Sequence, residues 1–435
     1  MDTNRKTALD VLTAYERDGA YPNLELKKRL RGIESDRDRR FISALVYGVI
    51  EKKLTLDYYI GKVSSVKLRK INAVVLTVLR MGLYQIMFLS TPESAACSSS
   101  VELAKTNGQI KSAGFVNAVL RKLSKSYNDI PLPENRTEYL SVRYSVSPSV
   151  LSLLVNSLGE QNAKRYLEYD AAEEKAIYIA ANPVKMHNDK LPAILQEEGI
   201  TALKTDFEGL YRVRSGFDIE GTDAYRRGFF HVIGKASYIA AKAVGAKGSD
   251  IVYDMCAAPG GKTFAVSYMS NGQAEITAFD LHKHKTDIIK KDIGRLGLSN
   301  IKAVTFDSTK INEKMISTAD CVLCDVPCSG LGILHKKPDI KYKNTDELSL
   351  INVQKQILKN GALYLKPGGR LVYSTCTVNN NENSEVVYEF LANNPQFEID
   401  KTVDLYNNEY GQKLFLPYTD GTDGFYIAVM KKKEV

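Results

Sequence analysis

The chain has 435 residues, 44% of them hydrophobic and 25% charged, which matches ordinary globular usage and excludes collagen-like, low-complexity and wholly disordered chains. At roughly 150 residues per domain the length predicts two or three domains with full hydrophobic cores. The net charge of +8 is uneven, with 22 Lys and Arg against 13 Asp and Glu in residues 1–130 and 37 against 38 beyond, so a polyanion such as a nucleic acid is a candidate partner, on a par by charge alone with a merely soluble basic domain.

Residues 3–126 read as helices. Ala8, Leu9, Val11, Leu12 and Tyr15 form one apolar stripe, Phe41, Ala44, Leu45, Tyr47 and Val49 a second, and Phe115, Val116, Val119, Leu120 and Leu123 a third. Breaks at Gly19–Asn23, Ser90–Glu93 and Thr106–Gln109 give the short connections of a helical bundle. Ile71–Leu89 is long enough to span a bilayer, but Asn72, Thr77, Arg80, Gly82 and Gln85 make it a core element, and no membrane partner is expected. Six Cys and the opening MDTNRKTALD predict a reducing, cytoplasmic setting rather than a disulfide framework.

NDIPLP at 128–133 ends the helical domain, placed at 1–128, and opens a linker over 129–149. Over 150–227 the helix-like VLSLLVNSLG, KRYLEYDAA and LPAILQEEG alternate with the strand-like IYIAANP and LYRVRSG, which predicts a small α/β extension. The last domain, 228–435, opens on FFHVIG and then repeats strand, turn and helix: IVYDMC, GKTFAVSYM, EITAFD, KTDIIKKDIGRLG, IKAVTFD, ADCVLCD, LINVQKQILKNGALYL and RLVYST. That order implies a doubly wound, mostly parallel sheet with ligands at the carboxyl ends of its strands. FYIAVMKK reads as one more strand, at an edge.

CAAPGGKT, Cys256–Thr263, joins a strand to a helix, and Gly260 and Gly261 let the backbone approach a ligand. Asp280 ends the next strand twenty residues after Gly260, where an acidic side chain can bond ribose hydroxyls, and Asp307 ends the third, within reach of an adenine amino group. A P-loop reading competes, but its first glycine would fall on Cys256, and Pro259 removes an amide from the cradle. Zinc is the bland reading of Cys321, Cys324 and Cys328. The first two lie inside an apolar strand with no partner pair elsewhere, so no metal is expected.

Strand four ends in Asp325-Val326-Pro327-Cys328-Ser329-Gly330 and the next in Ser374-Thr375-Cys376-Thr377, so Asp325, Cys328 and Cys376 are aimed into one crevice. Two thiols beside a nucleoside pocket suit alkylation of a pyrimidine at carbon 5. A thiolate adding to carbon 6 makes carbon 5 nucleophilic, and both the carbon 5 proton and the thiol leave afterwards. Asp325 is placed to hydrogen-bond cytosine N3 and the amino group. Lys336, Lys337, Lys341 and Lys343 form a basic run suited to a nucleic-acid backbone or to plain solvation. His231, His282, His284 and His335 show no ligand spacing.

CAAPGGKT, DVPCSGLG and YSTCT, in this order, resemble the RNA cytosine-C5 methyltransferases that use S-adenosylmethionine. Arg295-Leu296-Gly297, Pro338-Asp339-Ile340-Lys341, Glu382-Asn383 and Asp423-Gly424-Phe425 match as well, and SSSVELAK and GFVNAVLRKL resemble the NusB-like helical RNA-binding domain. That fusion is characteristic of the bacterial 16S ribosomal RNA methyltransferases of the RsmB/Sun family. The resemblance implies an all-α NusB-like domain, a small α/β extension and a Rossmann-like methyltransferase core. It implies S-adenosylmethionine held by Cys256, Ala257, Ala258, Pro259, Gly260, Gly261, Lys262, Asp280, Asp307 and Asp325. Cys376 would be the nucleophile and Cys328 would assist product release.

The implied partner is 16S ribosomal RNA, free or in small-subunit assembly intermediates, bound by a monomer; transfer RNA or another RNA is the alternative substrate. The target base must leave its stack, which favours a loop or single-stranded cytosine. Ile233-Gly234 stands where the family usually has Gln-Asp, Ala180 where it has Arg, Tyr342 for Trp and Lys285 for Arg. The first two departures motivate a second alternative, a non-catalytic RNA-binding assembly factor.

Overall fold

Apolar residues recurring every three to four positions fold the first part of the chain into helices at Thr3–Asp18, Pro22–Leu30, Asp36–Glu51, Lys53–Val63, Ala73–Phe88, Glu93–Thr106, Ala113–Ser126 and Arg136–Tyr144. The structure is a computed structural model that describes residues 2–169, 176–214, 218–343 and 346–434. Residues 170–172 of KRYLEYDAA and 215–216 of LYRVRSG lie outside the described residues. The chain divides into two compact units, Met1–Leu153 with Leu334–Asn344, and Leu154–Ile333 with Thr345–Val435.

The helical unit is closed by one core that includes Leu9, Leu12, Leu45, Leu79, Val116 and Leu120. The second stripe is rotated from its expected position: Ile42, Val46 and Ile50 are buried, Phe41 and Tyr47 are half-buried, and Ala44 is exposed. Ala73–Phe88 is the central helix, buried on most sides. Among the described residues no helix is long and apolar enough to cross a membrane. Its Arg80 is buried and paired with Asp57 through two bonds of 2.7 and 2.8 Å.

Two sequence expectations fail in this unit. Residues 129–149 are not a bare linker, since they contain the helix Arg136–Tyr144 and belong to the unit. Leu334–Asn344, whose lysines read equally as contacts for a nucleic-acid backbone or as plain solvation, belongs to the unit too. Lys341 is only 2% exposed and lies 3.9 Å from Glu51, and Lys343 pairs with Asp339 at 3.1 Å. Lys336, Lys337 and Lys343 keep the exposed character of the run, and Lys341 alone of the four is buried.

In the second unit a small antiparallel sheet has the order β2-β3-β1-β4, with β1 Ala176–Ala181, β2 Ala202–Lys204, β3 Leu210–Arg214 and β4 Phe230–Val232. The main sheet contains β5 Ile251–Asp254, β6 Glu275–Asp280, β7 Ile301–Thr305, β8 Ala319–Asp325 and β9 Leu365–Thr375 as parallel neighbours in the order β9-β8-β5-β6-β7. Short strands β10 Phe397–Ile399, β11 Asp404–Tyr406, β12 Glu409–Tyr410 and β13 Gln412–Phe415 follow, and the chain ends in β14 Phe425–Lys432.

The expected edge strand β14 lies inside the sheet, antiparallel to β9 on one side and to β10 and β13 on the other. Its continuous apolar run is the signature of burial on both faces. Alternation along the strands feeds two cores: Val252, Leu323 and Val372 face one way, and Val322, Leu371 and Tyr373 the other.

Asn182, fully buried, ties the end of β1 to the turn before β4 and to the end of the helix Lys283–Leu296 by donating to Gly228 O at 2.9 Å and Leu296 O at 2.8 Å and accepting from Val184 N at 3.1 Å. Asn182→Ala leaves two buried carbonyls without partners and is expected to cost about 2–4 kcal/mol. Differential scanning calorimetry of the full chain measures this, and an unchanged transition temperature would rule out the bracing role.

Candidate active site

The loop Cys256–Gly260 turns the end of β5 into the helix Gly261–Met269. Gly260 has φ +110°, and a Cβ there would stand 2.4 Å from the Phe264 ring, so only glycine fits. The Ala258–Pro259 peptide is cis. Ala257 N donates to Phe279 O at 2.7 Å, which ties the loop to β6.

Under the loop, Asp254 is buried and accepts from Thr263 Oγ1 at 2.6 Å, while its Oδ1 has no partner. Burial pushes its carboxyl up to about 7 against the opposing Thr263 bond. His231 on β4 donates from Nε2 to Gly261 O at 3.0 Å and packs edge-on against Phe264 and Tyr268. Burial pulls this imidazole down to about 3, so it is neutral at physiological pH. His231 therefore supports the start of the helix that follows the Cys256–Gly260 loop, a role that its lone position in the sequence did not disclose.

Asp280 ends β6, is 6% exposed, and accepts from His282 N at 3.1 Å. Asp307 follows β7 and accepts from Thr309 N at 3.0 Å and Thr309 Oγ1 at 2.6 Å, bonds that hold its carboxyl below the ordinary range. Asn360 braces this turn by donating to Ser308 O at 2.9 Å. The glycine cradle, the orphaned Asp254 oxygen and acidic groups at three neighbouring strand ends fit a nucleoside bearing hydroxyls and an amino group.

At the end of β8, Asp325 accepts from Lys262 Nζ at 2.7 Å through one oxygen and from Ser374 Oγ at 2.7 Å through the other. Lys262 also lies over the Phe425 ring at 5.2 Å. Burial alone would lower the ammonium, yet Asp325 holds it above its ordinary value. Lys262 and Asp325 thus form a salt bridge at the end of β8.

Cys328 and Cys376, 48 residues apart, bring their sulfurs to 3.4 Å. The bond to Cys376, followed by burial, pushes the Cys328 thiol well above its ordinary range, so it stays protonated. Gly332 N donates to Cys376 O at 2.9 Å, and Gly424 N to Gly332 O at 2.9 Å. A Cβ on Gly332 would lie 1.7 Å from Gly424 O, so this stitching requires glycine. The other candidate thiols are inert: burial pushes Cys321 to about 12 and Cys256 and Cys324 well up. Among the described residues no cluster of three His, Cys, Asp or Glu could hold a metal.

Comparison with known proteins places these features in context. Residues 241–431 match the family model described as 16S rRNA methyltransferase RsmB/F, and residues 2–125 that of the NusB family. A Bacillus subtilis relative named "Probable ribosomal RNA small subunit methyltransferase B" is 35% identical over 99% of this chain and 98% of its own. Ribosomal RNA small subunit methyltransferase B of Proteus mirabilis is 26% identical over 94% and 93%. The crystal structure of PH0851 shares the fold with a TM-score of 0.84 at 21% identity, covering 98% of this chain and 99% of the other.

Because His231 is neutral in the fold and free to protonate once unfolded, the native state loses stability as pH falls from about 6.5 toward 3, by up to ~1.4 kcal/mol per unit. His231→Gln keeps a donor for Gly261 O and is expected to flatten that slope. Urea denaturation at pH 7 and at pH about 4.5 compares the two proteins; equal slopes would show that the imidazole is not buried.

Proposed function

Since the chain belongs to the RsmB/F family of ribosomal RNA small subunit methyltransferases, we propose that it methylates carbon 5 of a cytosine in 16S ribosomal RNA through a covalent Cys376 adduct. The observation that carries this reading is the 3.4 Å approach of Cys328 and Cys376 beside the Asp325–Lys262 pair. One thiol can add to the base while the other serves its departure, a division of labour that a single thiol could not provide.

S-adenosylmethionine, the methyl donor, supplies an electrophilic methyl group when bound. Cys256–Lys262, Asp280 and Asp307 would hold it. Each Asp325 oxygen accepts one bond already, which leaves lone pairs for the cytosine amino group and orients the ring. The Cys376 thiolate adds to carbon 6, forming the S–C6 bond and moving the ring electrons toward carbon 5 and N3. Lys262 places positive charge beside the charge that develops on the ring.

Once carbon 5 carries the methyl group, a base takes the carbon 5 proton. The electrons of that C–H bond restore the 5,6 double bond and expel the Cys376 sulfur. Cys328, held as a thiol, donates its hydrogen to the departing sulfur. Pro327 and the glycines around Gly332 fix this loop, and the basic surface of the helical unit supplies attraction for the RNA backbone.

The test incubates the protein with labelled S-adenosylmethionine and either 16S RNA, partly assembled small subunits or transfer RNA, and maps 5-methylcytosine by bisulfite sequencing. One modified cytosine in 16S RNA is expected, and label confined to transfer RNA would overturn the substrate. Cys376→Ala is expected to abolish label. Cys328→Ala is expected to slow turnover by about 100-fold or more and to trap a protein–RNA adduct that survives detergent electrophoresis.

A further inference from the structure

Glu382 follows the candidate nucleophile by six residues, and its side chain is fully buried at 0% exposure. One carboxylate oxygen accepts from Ser329 N at 2.8 Å and Gln354 Nε2 at 3.0 Å. The other accepts from Ser329 Oγ and from Asn379 Nδ2 at 3.1 Å. Among the described residues Glu382 forms no ion pair, so its charge is met by hydrogen bonds alone.

These four donors come from both sides of the thiol pair. Ser329 is the residue after Cys328, and its hydroxyl also meets Thr377 Oγ1 at 2.8 Å, the residue after Cys376. Gln354 donates in addition to Pro327 O at 3.0 Å, so the residue before Cys328 is held through the same group. The Glu382 carbonyl accepts from Tyr373 OH at 2.6 Å, which fixes the carboxylate's own backbone to β9.

Burying a carboxylate without a cation is costly. An apolar side chain would leave these four donors without an acceptor, and a Gln would present one acceptor oxygen to four donors. We infer that Glu382 is a positioning residue: its carboxylate clamps the Cys328 loop against the Cys376 loop and so sets the sulfur–sulfur approach on which release of the methylated base depends. This rests on the roles proposed above for Cys376 and Cys328.

The experiment compares wild type, Cys328→Ala, Glu382→Gln and Gln354→Met as full-length proteins with 16S RNA and S-adenosylmethionine. It measures thermal unfolding, the first turnover, steady-state turnover and the detergent-stable adduct. Glu382→Gln is expected to keep the first turnover within about threefold and to lose at least about tenfold in steady state, with adduct rising toward the Cys328→Ala level. Gln354→Met removes a donor shared by Glu382 and Pro327 together with the unpartnered buried oxygen of Gln354. It is therefore expected to keep its stability and to show the same pattern more weakly.

A Glu382→Gln protein that slows first and later turnovers equally without adduct, while Cys328→Ala accumulates adduct, overturns the clamp and leaves the release mechanism standing. Absence of adduct from Cys328→Ala itself overturns both. If Glu382→Gln does not fold, Gln354→Met decides, and a wild-type ratio of first to steady-state turnover overturns the proposal.

Discussion

The site depends on how β8 and β9 end. They pair in parallel with Asp325 opposite Ser374, and the last bond of the ladder runs from Val326 N to Ser374 O at 3.1 Å. The next residue on the β8 side is Pro327, which has no N–H to continue the pairing. The chain must therefore leave the sheet there, while Thr375 stays in register with Tyr426 of β14. One strand lets go and its neighbour does not, so the thiol just beyond each end meets the other at 3.4 Å.

Charge in this site is arranged by burial rather than by number. The chain's positive excess lies in residues 1–130, yet at the end of β8 the core holds a largely buried ammonium, Lys262, against Asp325 at 2.7 Å. A second carboxyl, Asp254, sits close enough to raise the ammonium further but is itself pushed up to about 7 by burial. The result near neutral pH is one committed ion pair beside one carboxyl poised between its two forms, not a field of fixed charges. Partnering matters more than proximity here, because in a low-dielectric interior an unpaired charge is the expensive state.

Much of this was legible in the sequence. The helix Gly261–Met269 and the strands β6, β8 and β14 fall where GKTFAVSYM, EITAFD, ADCVLCD and FYIAVMKK place them. Each is an apolar run bounded by turn residues, which is local information. The gathering of Asp325, Cys328 and Cys376 at the ends of β8 and β9 was legible for the same reason, since it needs only that strands end where their polar residues begin. What escaped was non-local. The interior place of β14 depends on β10 and β13, strands of three and four residues with no pattern of their own. His231 and Glu382 matter through partners 30 and 53 residues away, and no periodicity announces such a bond.

Leu334–Asn344 shows the same limit most sharply. Its lysines suggested a surface run for a nucleic-acid backbone or for plain solvation, but within the helical unit the Tyr342 hydroxyl donates to Glu51 O at 2.8 Å and meets Ser145 Oγ at 3.0 Å. Ser145 in turn accepts from Leu54 N at 3.0 Å, satisfying an amide at the start of the helix Lys53–Val63. The Tyr342 hydroxyl thus both donates and accepts, which a tryptophan ring N–H could not do. A segment read as part of the catalytic domain is, by its bonds, part of the helical unit's core. Ending that unit at residue 128 would remove both Ser145 and Tyr342 and strand the Leu54 amide, so the unit's boundary is set by this hydrogen-bond chain and not by the prolines at 131 and 133.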